Sequence, residues 1–194
     1  MVSGPSGVGK GTVCAELVSQ NPHIFLSVSA TSRAPRKGEI EGVHYFYKTR
    51  NQFESMIAND ELLEYAEYIG NYYGTPKAAC LAQMEQGNDV ILEIELQGGF
   101  KVKEKHPDTV LIFVIPPTME DLLKRLSNRG TESDEVIQKR MRRATEELAY
   151  IDRYDYIIVN DTVQNAAETL KAIITARHYM HGNIIDTVNK ALKL

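Results

Sequence analysis

A glycine-rich run near the start of the chain constrains the fold most strongly. It reads Gly4-Pro5-Ser6-Gly7-Val8-Gly9-Lys10-Gly11-Thr12 and leads directly into a helical pattern over residues 10–20. Glycines let the backbone turn so that successive N–H groups point inward, and the helix N-terminus adds partial positive charge. A lysine at the end of such a run reaches the terminal phosphates of a nucleotide. The run therefore predicts a loop that binds a nucleoside triphosphate.

The run departs from the common phosphate-loop pattern at one position. Ser or Thr usually follows the lysine and ligates magnesium through its hydroxyl. Here Gly11 stands at that position and Thr12 comes one residue later. We therefore expect Thr12 to contribute to a magnesium site through a water molecule rather than by direct ligation.

Short apolar runs alternate with helical patterns along most of the chain. Runs rich in Val, Ile and Leu predict buried strands at residues 25–29, 90–94, 110–115 and 156–159. Further helical patterns cover residues 76–86, 98–105, 119–127, 134–151 and 164–179. Strands that alternate with helices of this length predict an α/β fold, with a parallel sheet covered by helices on both faces.

Two segments interrupt this alternation. Residues 33–75 are rich in Gly, Tyr, Glu and Arg, with short alternating stretches at 43–47 and 62–68 around one short helix near 52–59. This pattern predicts a small mixed sheet inserted between core strands. A second interruption at residues 126–135 separates two helices and predicts a cap.

Composition excludes several classes of protein. The 194 residues suit a single globular domain, and the net charge of −4 disfavours general nucleic-acid binding. The apolar runs are far shorter than the roughly 20 residues that span a bilayer. Only two cysteines occur, which favours a reduced, cytoplasmic compartment. We therefore expect neither nucleic acid nor membrane as a partner.

The inserted segment contains a second candidate anion site. Arg33 and Arg36 lie in a Ser- and Thr-rich stretch directly after a predicted strand. Guanidinium groups bind phosphate oxygens in a bidentate manner, and the phenols of Tyr45 and Tyr73 add donors. The segment therefore predicts a site for a second phosphate group.

Three carboxylates complete the candidate site. Glu64 lies in one of the alternating stretches, where it is either a functional carboxylate or a polar residue of an edge strand. Glu93 and Glu95 are two residues apart, so their side chains leave the same face of a strand end. Ligands bind at that end of open α/β sheets, and two buried carboxylates need a cation or another partner.

Together these motifs resemble those of bacterial guanylate kinases over nearly the whole chain. The motifs that carry the resemblance are Gly4-Pro-Ser-Gly-Val-Gly-Lys10, Ser27-Val-Ser-Ala-Thr-Ser-Arg33-Ala-Pro-Arg36, Gly42-Val-His-Tyr45-Phe, Gly70-Asn-Tyr-Tyr73-Gly-Thr75, Glu93-Ile-Glu-Leu-Gln-Gly98, Arg129-Gly-Thr-Glu and Val159-Asn160-Asp. The resemblance implies the fold of a P-loop nucleoside-monophosphate kinase. Its parts would be a core of residues 1–31, 76–118 and 141–194, a GMP-binding insertion of residues 32–75, and a lid of residues 119–140.

The resemblance also implies an activity, the conversion of ATP and GMP to ADP and GDP with Mg²⁺ as cofactor, in a monomer or homodimer. By position, it places the GMP-phosphate ligands at Ser29, Arg33, Arg36, Tyr45 and Tyr73. It places the guanine readers at Glu64, Thr75 and Glu95, the last of which is usually aspartate in the family. The catalytic group would be Lys10, Arg33, Arg129 and Arg140, and ATP would also contact Arg129 and Asn160.

Two other functions fit the same motifs. One is a kinase for a different nucleoside monophosphate. The other is a non-catalytic guanylate-kinase-like module that binds phosphorylated peptides. Such modules typically lack a working phosphate loop, whereas the loop and Lys10 are intact in this sequence.

Overall fold

The computed structural model describes residues 1–36, 38–68, 70–128, 133–180, 184–185 and 189–191. The strands in chain order are β1 (Val2–Ser3), β2 (Ile24–Leu26), β3 (Ala30–Thr31), β4 (Phe46–Tyr47), β5 (Leu62–Tyr68), β6 (Asn71–Pro76), β7 (Asp89–Ile91), β8 (Ile112–Ile115) and β9 (Tyr156–Val159). The helices are α1 (Lys10–Gln20), α2 (Arg50–Ala58), α3 (Lys77–Glu85), α4 (Leu96–Lys105), α5 (Met119–Ser127), α6 (Asp134–Leu148) and α7 (Val163–His178).

Five strands form the parallel core sheet. β1 pairs with β8, β8 with β9 and β2 with β7, in each case in parallel. A parallel bridge between Val2 and Glu93 joins the two groups just beyond β7. The resulting order is β2-β7-β1-β8-β9, which confirms the predicted α/β fold with a parallel sheet.

Helices cover both faces of this sheet. On one face, α1 and α7 bury Val13, Leu17 and Leu170 against β1, β8 and β9. On the other face, α3 and α4 contribute Cys80 and Phe100 to a second cluster. Over the described residues, no helix has both the length and the apolar character needed to cross a membrane.

The predicted element boundaries are accurate where a local signal marks them. α1 begins at Lys10 and α5 at Met119, as predicted, and Thr118 caps α5 by accepting a hydrogen bond from the Asp121 amide. The prediction of one helix over residues 134–151 is wrong at its end, because α6 stops at Leu148 and a short 3₁₀ turn follows. Apolar residues of that segment pack against two different partners: Ile137 lies in the cluster with α5, whereas Leu148 packs against the core sheet.

The inserted segment forms the predicted mixed sheet. Its strand order is β4-β3-β6-β5, with β3 and β4 parallel and the other two pairs antiparallel. α2 starts at a capping box made by Thr49 and Gln52, and it buries Phe53 beside Leu62. β3 begins at Ala30, so this sheet starts two residues before the predicted insertion.

Candidate active site

The glycine run folds as a loop between β1 and α1. Gly4, Gly7 and Gly9 have φ angles of 146°, 90° and 94°, a region that side chains disfavour. At Gly4 a Cβ would lie 2.2 Å from the Val114 carbonyl oxygen, so only glycine lets β1 end this close to β8. The loop therefore leaves the carboxyl end of the central strand and delivers Lys10 to the first turn of α1.

Lys10 lies across the mouth of this loop. Its Nζ donates hydrogen bonds to the carbonyl oxygens of Gly4 at 2.6 Å and Pro5 at 3.3 Å. The hydroxyl-bearing residues Ser6 and Thr12 are exposed. All nine residues predicted to bind the triphosphate, 4–12, lie together in this loop and the first turn of α1.

Asn160 and Arg125 support the loop from outside. Asn160 follows β9, and its Nδ2 donates to the Val8 carbonyl at 2.7 Å while its buried Oδ1 has no hydrogen-bond partner among the described residues. Arg125 of α5 donates to the same Val8 carbonyl at 3.1 Å and to the Asn160 carbonyl at 2.8 Å. Asn160 was predicted from the sequence, whereas Arg125 was not.

Glu93 approaches the loop from the end of β7. Its carboxylate oxygens lie 3.2 and 3.5 Å from where a Cβ at Gly11 would stand. Burial raises the pKa of Glu93, and the Lys10 charge partly opposes this shift. The missing side chain at position 11 thus leaves room for a carboxylate beside the loop.

Arg33 lies within a cluster of polar and aromatic groups on the inserted sheet. Its Nη2 is 2.9 Å from Glu39 Oε1, and its Nη1 donates to the Ala34 carbonyl at 2.7 Å. Glu39 Oε2 also accepts from the Arg36 amide at 2.6 Å and the Tyr47 hydroxyl at 2.9 Å. The hydrogen bond from Arg33 is the main cause that lowers the pKa of Glu39 to about 2.

Tyrosine rings enclose the same guanidinium group. The Arg33 Cζ lies 5.5 Å from the Tyr45 ring centroid, and the Tyr45 and Tyr73 rings are 6.0 Å apart. Ser29 is joined to this cluster through its carbonyl, which accepts from the Phe46 amide at 2.9 Å. The structure thus brings Arg33, Tyr45 and Tyr73 together.

Arg36 and two unpredicted residues complete the description of this cluster. The Arg36 side chain is exposed at its edge. Glu39 and Tyr47 are functional candidates that the sequence analysis missed. A carboxylate three residues after Arg36, in a segment already rich in arginine, was the available signal for Glu39.

Glu64 is the most deeply buried carboxylate of the predicted set. It lies on β5 with a relative exposure of 6% and accepts a hydrogen bond from Thr75 Oγ1 at 2.9 Å. Thr75, on the neighbouring strand β6, is completely buried. Burial raises the pKa of Glu64, and the hydrogen bond from Thr75 partly offsets this. Burying a carboxylate costs free energy unless hydrogen bonds offset the cost. Glu64 can therefore accept further hydrogen bonds from donors on a ligand.

The remaining predicted residues lie nearer the lid. Glu95 stands at the N-cap of α4 with a side-chain exposure of 65%, and its Oε2 pairs with Arg143 Nη2 of α6 at 2.8 Å. Arg140 lies on α6, half-buried. Arg129 lies outside the described residues. The sequence analysis missed Arg143, which links α6 to the strand end that carries Glu95.

The geometry defines a class of protein. A phosphate loop at the carboxyl end of a parallel sheet, joined to an inserted sheet with its own cationic cluster, is the arrangement of a P-loop nucleotide kinase.

Comparison with known proteins narrows this class. The model of the guanylate kinase family matches residues 1–177. A guanylate kinase from Halalkalibacterium halodurans is 50% identical over 194 residues, which are 100% of this chain and 95% of that protein. Another from Desulfitobacterium hafniense is 53% identical over 176 residues, 91% of this chain and 88% of that protein.

A solved structure agrees with these relatives. The crystal structure of guanylate kinase from Anaplasma phagocytophilum superposes with a TM-score of 0.74 at 33% identity, covering 92% of this chain and 85% of that one. The chain belongs to the guanylate kinase family.

Proposed function

We propose that this protein transfers the γ-phosphoryl group of ATP to GMP, forming ADP and GDP. The observation that carries the choice of acceptor is the buried Glu64 carboxylate, with Thr75 donating to it at 2.9 Å. Membership of the guanylate kinase family supports the same reaction.

Glu64 selects guanine by its hydrogen-bonding capacity. Guanine presents N1–H and the N2 amino group as adjacent donors, and an ionised carboxylate accepts from both. Adenine has an acceptor at N1, so the carboxylate would face a lone pair there. Charge-assisted hydrogen bonds contribute about 1.5–3 kcal/mol each, which is enough to discriminate strongly between the bases. Thr75 and Glu95 complete the base site in this proposal.

The cluster around Arg33 binds the GMP phosphate. Arg33 uses N–H groups on Glu39 and the Ala34 carbonyl and also interacts with Tyr73, so the N–H groups that remain in its fork serve the phosphate. The other ligands in this proposal are Ser29, Arg36, Tyr45 and Tyr73. Because Glu39 holds Arg33 from the protein side, the guanidinium is oriented before the ligand arrives.

The loop and its lysine bind ATP. Backbone N–H groups of the loop and the N-terminus of α1 bind the phosphates, and Lys10 exchanges the Gly4 carbonyl for phosphate oxygens. The buried, unpaired Oδ1 of Asn160 is an acceptor suited to the amino group of adenine.

Glu93 and Thr12 are the residues that would hold Mg²⁺. Among the described residues, no group of three or more His, Cys, Asp or Glu side chains lies close enough together to hold a metal ion. Mg²⁺ typically uses one or two carboxylates together with substrate phosphates, so a single carboxylate beside Gly11 fits. When bound, Mg²⁺ neutralises charge on the β- and γ-phosphates. Glu93 thus offers a carboxylate ligand beside the position where the usual Ser or Thr hydroxyl is missing.

Transfer proceeds in line between the two sites. A GMP phosphate oxygen forms a bond to the γ-phosphorus as the bond to the β–γ bridging oxygen breaks. Lys10 and Arg33 stabilise the charge on the transferred group, and the lid adds Arg129 and Arg140 on closing. Closure also excludes water, which would otherwise take the phosphoryl group.

The two free, buried cysteines suit a cytoplasmic location.

A coupled assay of ADP release tests this function. ATP with GMP should give the fastest turnover among GMP, AMP, CMP and UMP. Faster turnover of another nucleotide would contradict the base assignment and favour a different nucleoside-monophosphate kinase. Tight phosphopeptide binding without any nucleotide-dependent ADP release would favour a non-catalytic module.

A further inference from the structure

Gly98 lies directly against the carboxylate of Glu64. A Cβ at this position would stand 2.6 Å from Glu64 Oε2, closer than real Cβ atoms approach other heavy atoms, and 3.1 Å from Glu64 Cδ, a tight contact. The next neighbour, Ile94 Cδ1, would be at 3.6 Å, an ordinary contact. The space in front of Gly98 is therefore occupied by one functional group, the Glu64 carboxylate.

We propose that Gly98 is a specificity-determining residue: the absence of a side chain there holds the place of the Glu64 carboxylate open, and so sets selection for guanine. This inference rests on the proposed role of Glu64 as the guanine reader. It makes Gly98 a positioning residue, which acts on the base only through Glu64.

The local backbone gives no other reason for glycine at this position. Gly98 is the third residue of α4, and its φ lies outside the left-handed region. Alanine is a better helix former than glycine, so helix propensity alone favours a side chain there. The close approach of Glu64 is the feature that opposes one.

The Glu64 carboxylate has little room to yield. Its Oε1 is held by Thr75 Oγ1 at 2.9 Å, and both residues are buried. A methyl group at position 98 would push Oε2 away and rotate the carboxylate off the Thr75 hydroxyl. The resulting displacement would misalign both acceptor oxygens with the adjacent donors of guanine.

Gly74 also lies against Glu64, but it contacts the backbone of Glu64 and not the carboxylate. A Cβ at Gly74 would meet the Glu64 backbone oxygen at 2.7 Å, Tyr65 Cβ at 3.0 Å and Phe53 Cζ at 3.1 Å. These neighbours are main chain, the Cβ of Tyr65 and the buried ring of Phe53, so Gly74→Ala should lower the melting temperature. Gly98→Ala meets only the end of a side chain, so it should change function and leave stability intact.

The test is a double-mutant cycle in the full-length protein. Gly98→Ala, Glu64→Ala and the double variant are compared with Gln97→Ala, an exposed neighbour in the same helical turn. For each protein, kcat and KM for GMP, KM for ATP and the melting temperature are measured. Glu64→Ala alone tests the proposed reader.

We expect Gly98→Ala to lower kcat/KM for GMP about 10- to 100-fold, chiefly through a higher KM, which corresponds to the loss of about one charge-assisted hydrogen bond. KM for ATP and the melting temperature should match those of Gln97→Ala. In the Glu64→Ala background, Gly98→Ala should have no further effect, because there is no carboxylate left to displace.

Three outcomes would overturn the inference. One is unchanged GMP kinetics in Gly98→Ala while Glu64→Ala is impaired, which would leave the proposed reader intact. Another is an equal loss from Gly98→Ala in both backgrounds. The third concerns folding. If Gly98→Ala does not fold, the inference requires that the double variant does fold, because the clash with the carboxylate is removed. A double variant that also fails to fold would show that Gly98 has a purely structural role. Unimpaired Glu64→Ala would instead overturn the proposed base reader itself.

Discussion

Glu64 combines deep burial with a single described side-chain partner, Thr75. We expect Glu64→Gln to lower kcat/KM for GMP about 10- to 100-fold, because the amide places an NH₂ donor against the donors of guanine. KM for ATP should stay unchanged. Steady-state kinetics measure both values, with Glu61→Gln, an exposed residue of the same segment, as the control.

An unaltered preference for GMP in Glu64→Gln would show that another group reads the base. A loss of equal size in Glu61→Gln would point to a general effect of charge on this sheet rather than to direct contact.

The raised pKa of Glu64 gives a prediction about pH. Guanosine binding requires the ionised carboxylate, so affinity should fall on acidification around a pKa above the ordinary glutamate value of 4.5. Because the folded state holds this proton more tightly than the unfolded state, the contribution of Glu64 to stability falls as pH rises through the same window. Calorimetry with guanosine avoids titration of a substrate phosphate. An affinity that declines only below pH 4.5 would contradict the prediction.

At the scale of elements, α5 packs against the glycine loop. Leu126 is buried, and its Cδ2 lies 2.5 Å from where a Cβ at Gly7 would stand. Leu126→Ala should lower the free energy of unfolding by about 2–5 kcal/mol and raise KM for ATP, because the loop loses its packing partner. Denaturant unfolding and kinetics test this against Leu123→Ala on the exposed side of the helix. A weakened affinity for GMP with normal KM for ATP would contradict it.

Helix α6 carries the described lid arginine, Arg140. We expect Arg140→Ala to lower kcat about 100-fold or more while the affinity for GMP stays unchanged, because lid groups meet the phosphates only after closure. The exposed Arg142→Ala is the matched control. Normal kcat with weakened GMP binding would place Arg140 in the open acceptor site instead.

Elements with local signals could be predicted from the sequence. The glycine run locates α1, and the Thr118 cap locates α5, because both signals depend on neighbouring residues. The end of α6 could not be predicted in this way. Apolar residues continue at helical spacing from Ile137 to Ile151. Ile137 packs with α5, however, whereas Leu148 and Ile151 pack against the core sheet, and the sequence pattern does not show this change of partner.

At the scale of the whole molecule, the parallel sheet gathers the site from distant segments. The glycine loop, Glu93 and Asn160 follow β1, β7 and β9 at the same edge of the sheet. These residues could be identified from sequence motifs, because a glycine-rich run and a carboxylate at a strand end are typical of nucleotide sites. Arg125 was missed because its contact with Val8 joins residues 117 positions apart, and its own helix carries no sign of that contact.

In the proposed mechanism, donor and acceptor occupy separate sites in one molecule. Lys10 would act on the ATP phosphates, whereas GMP would bind through Glu64 and the cluster around Arg33. Removing Lys10 should therefore abolish transfer without removing the acceptor site. Folding should also persist, because an ammonium group at a helix N-terminus is electrostatically unfavourable.

The most direct test is calorimetric titration of Lys10→Ala with GMP, read beside its turnover. We predict that kcat falls by about two to three orders of magnitude, because the interaction of the Lys10 ammonium with the phosphates becomes stronger as charge develops on the β–γ bridging oxygen. The dissociation constant for GMP should equal that of the unaltered protein. Near-normal turnover in Lys10→Ala, or loss of GMP binding together with turnover, would contradict the account.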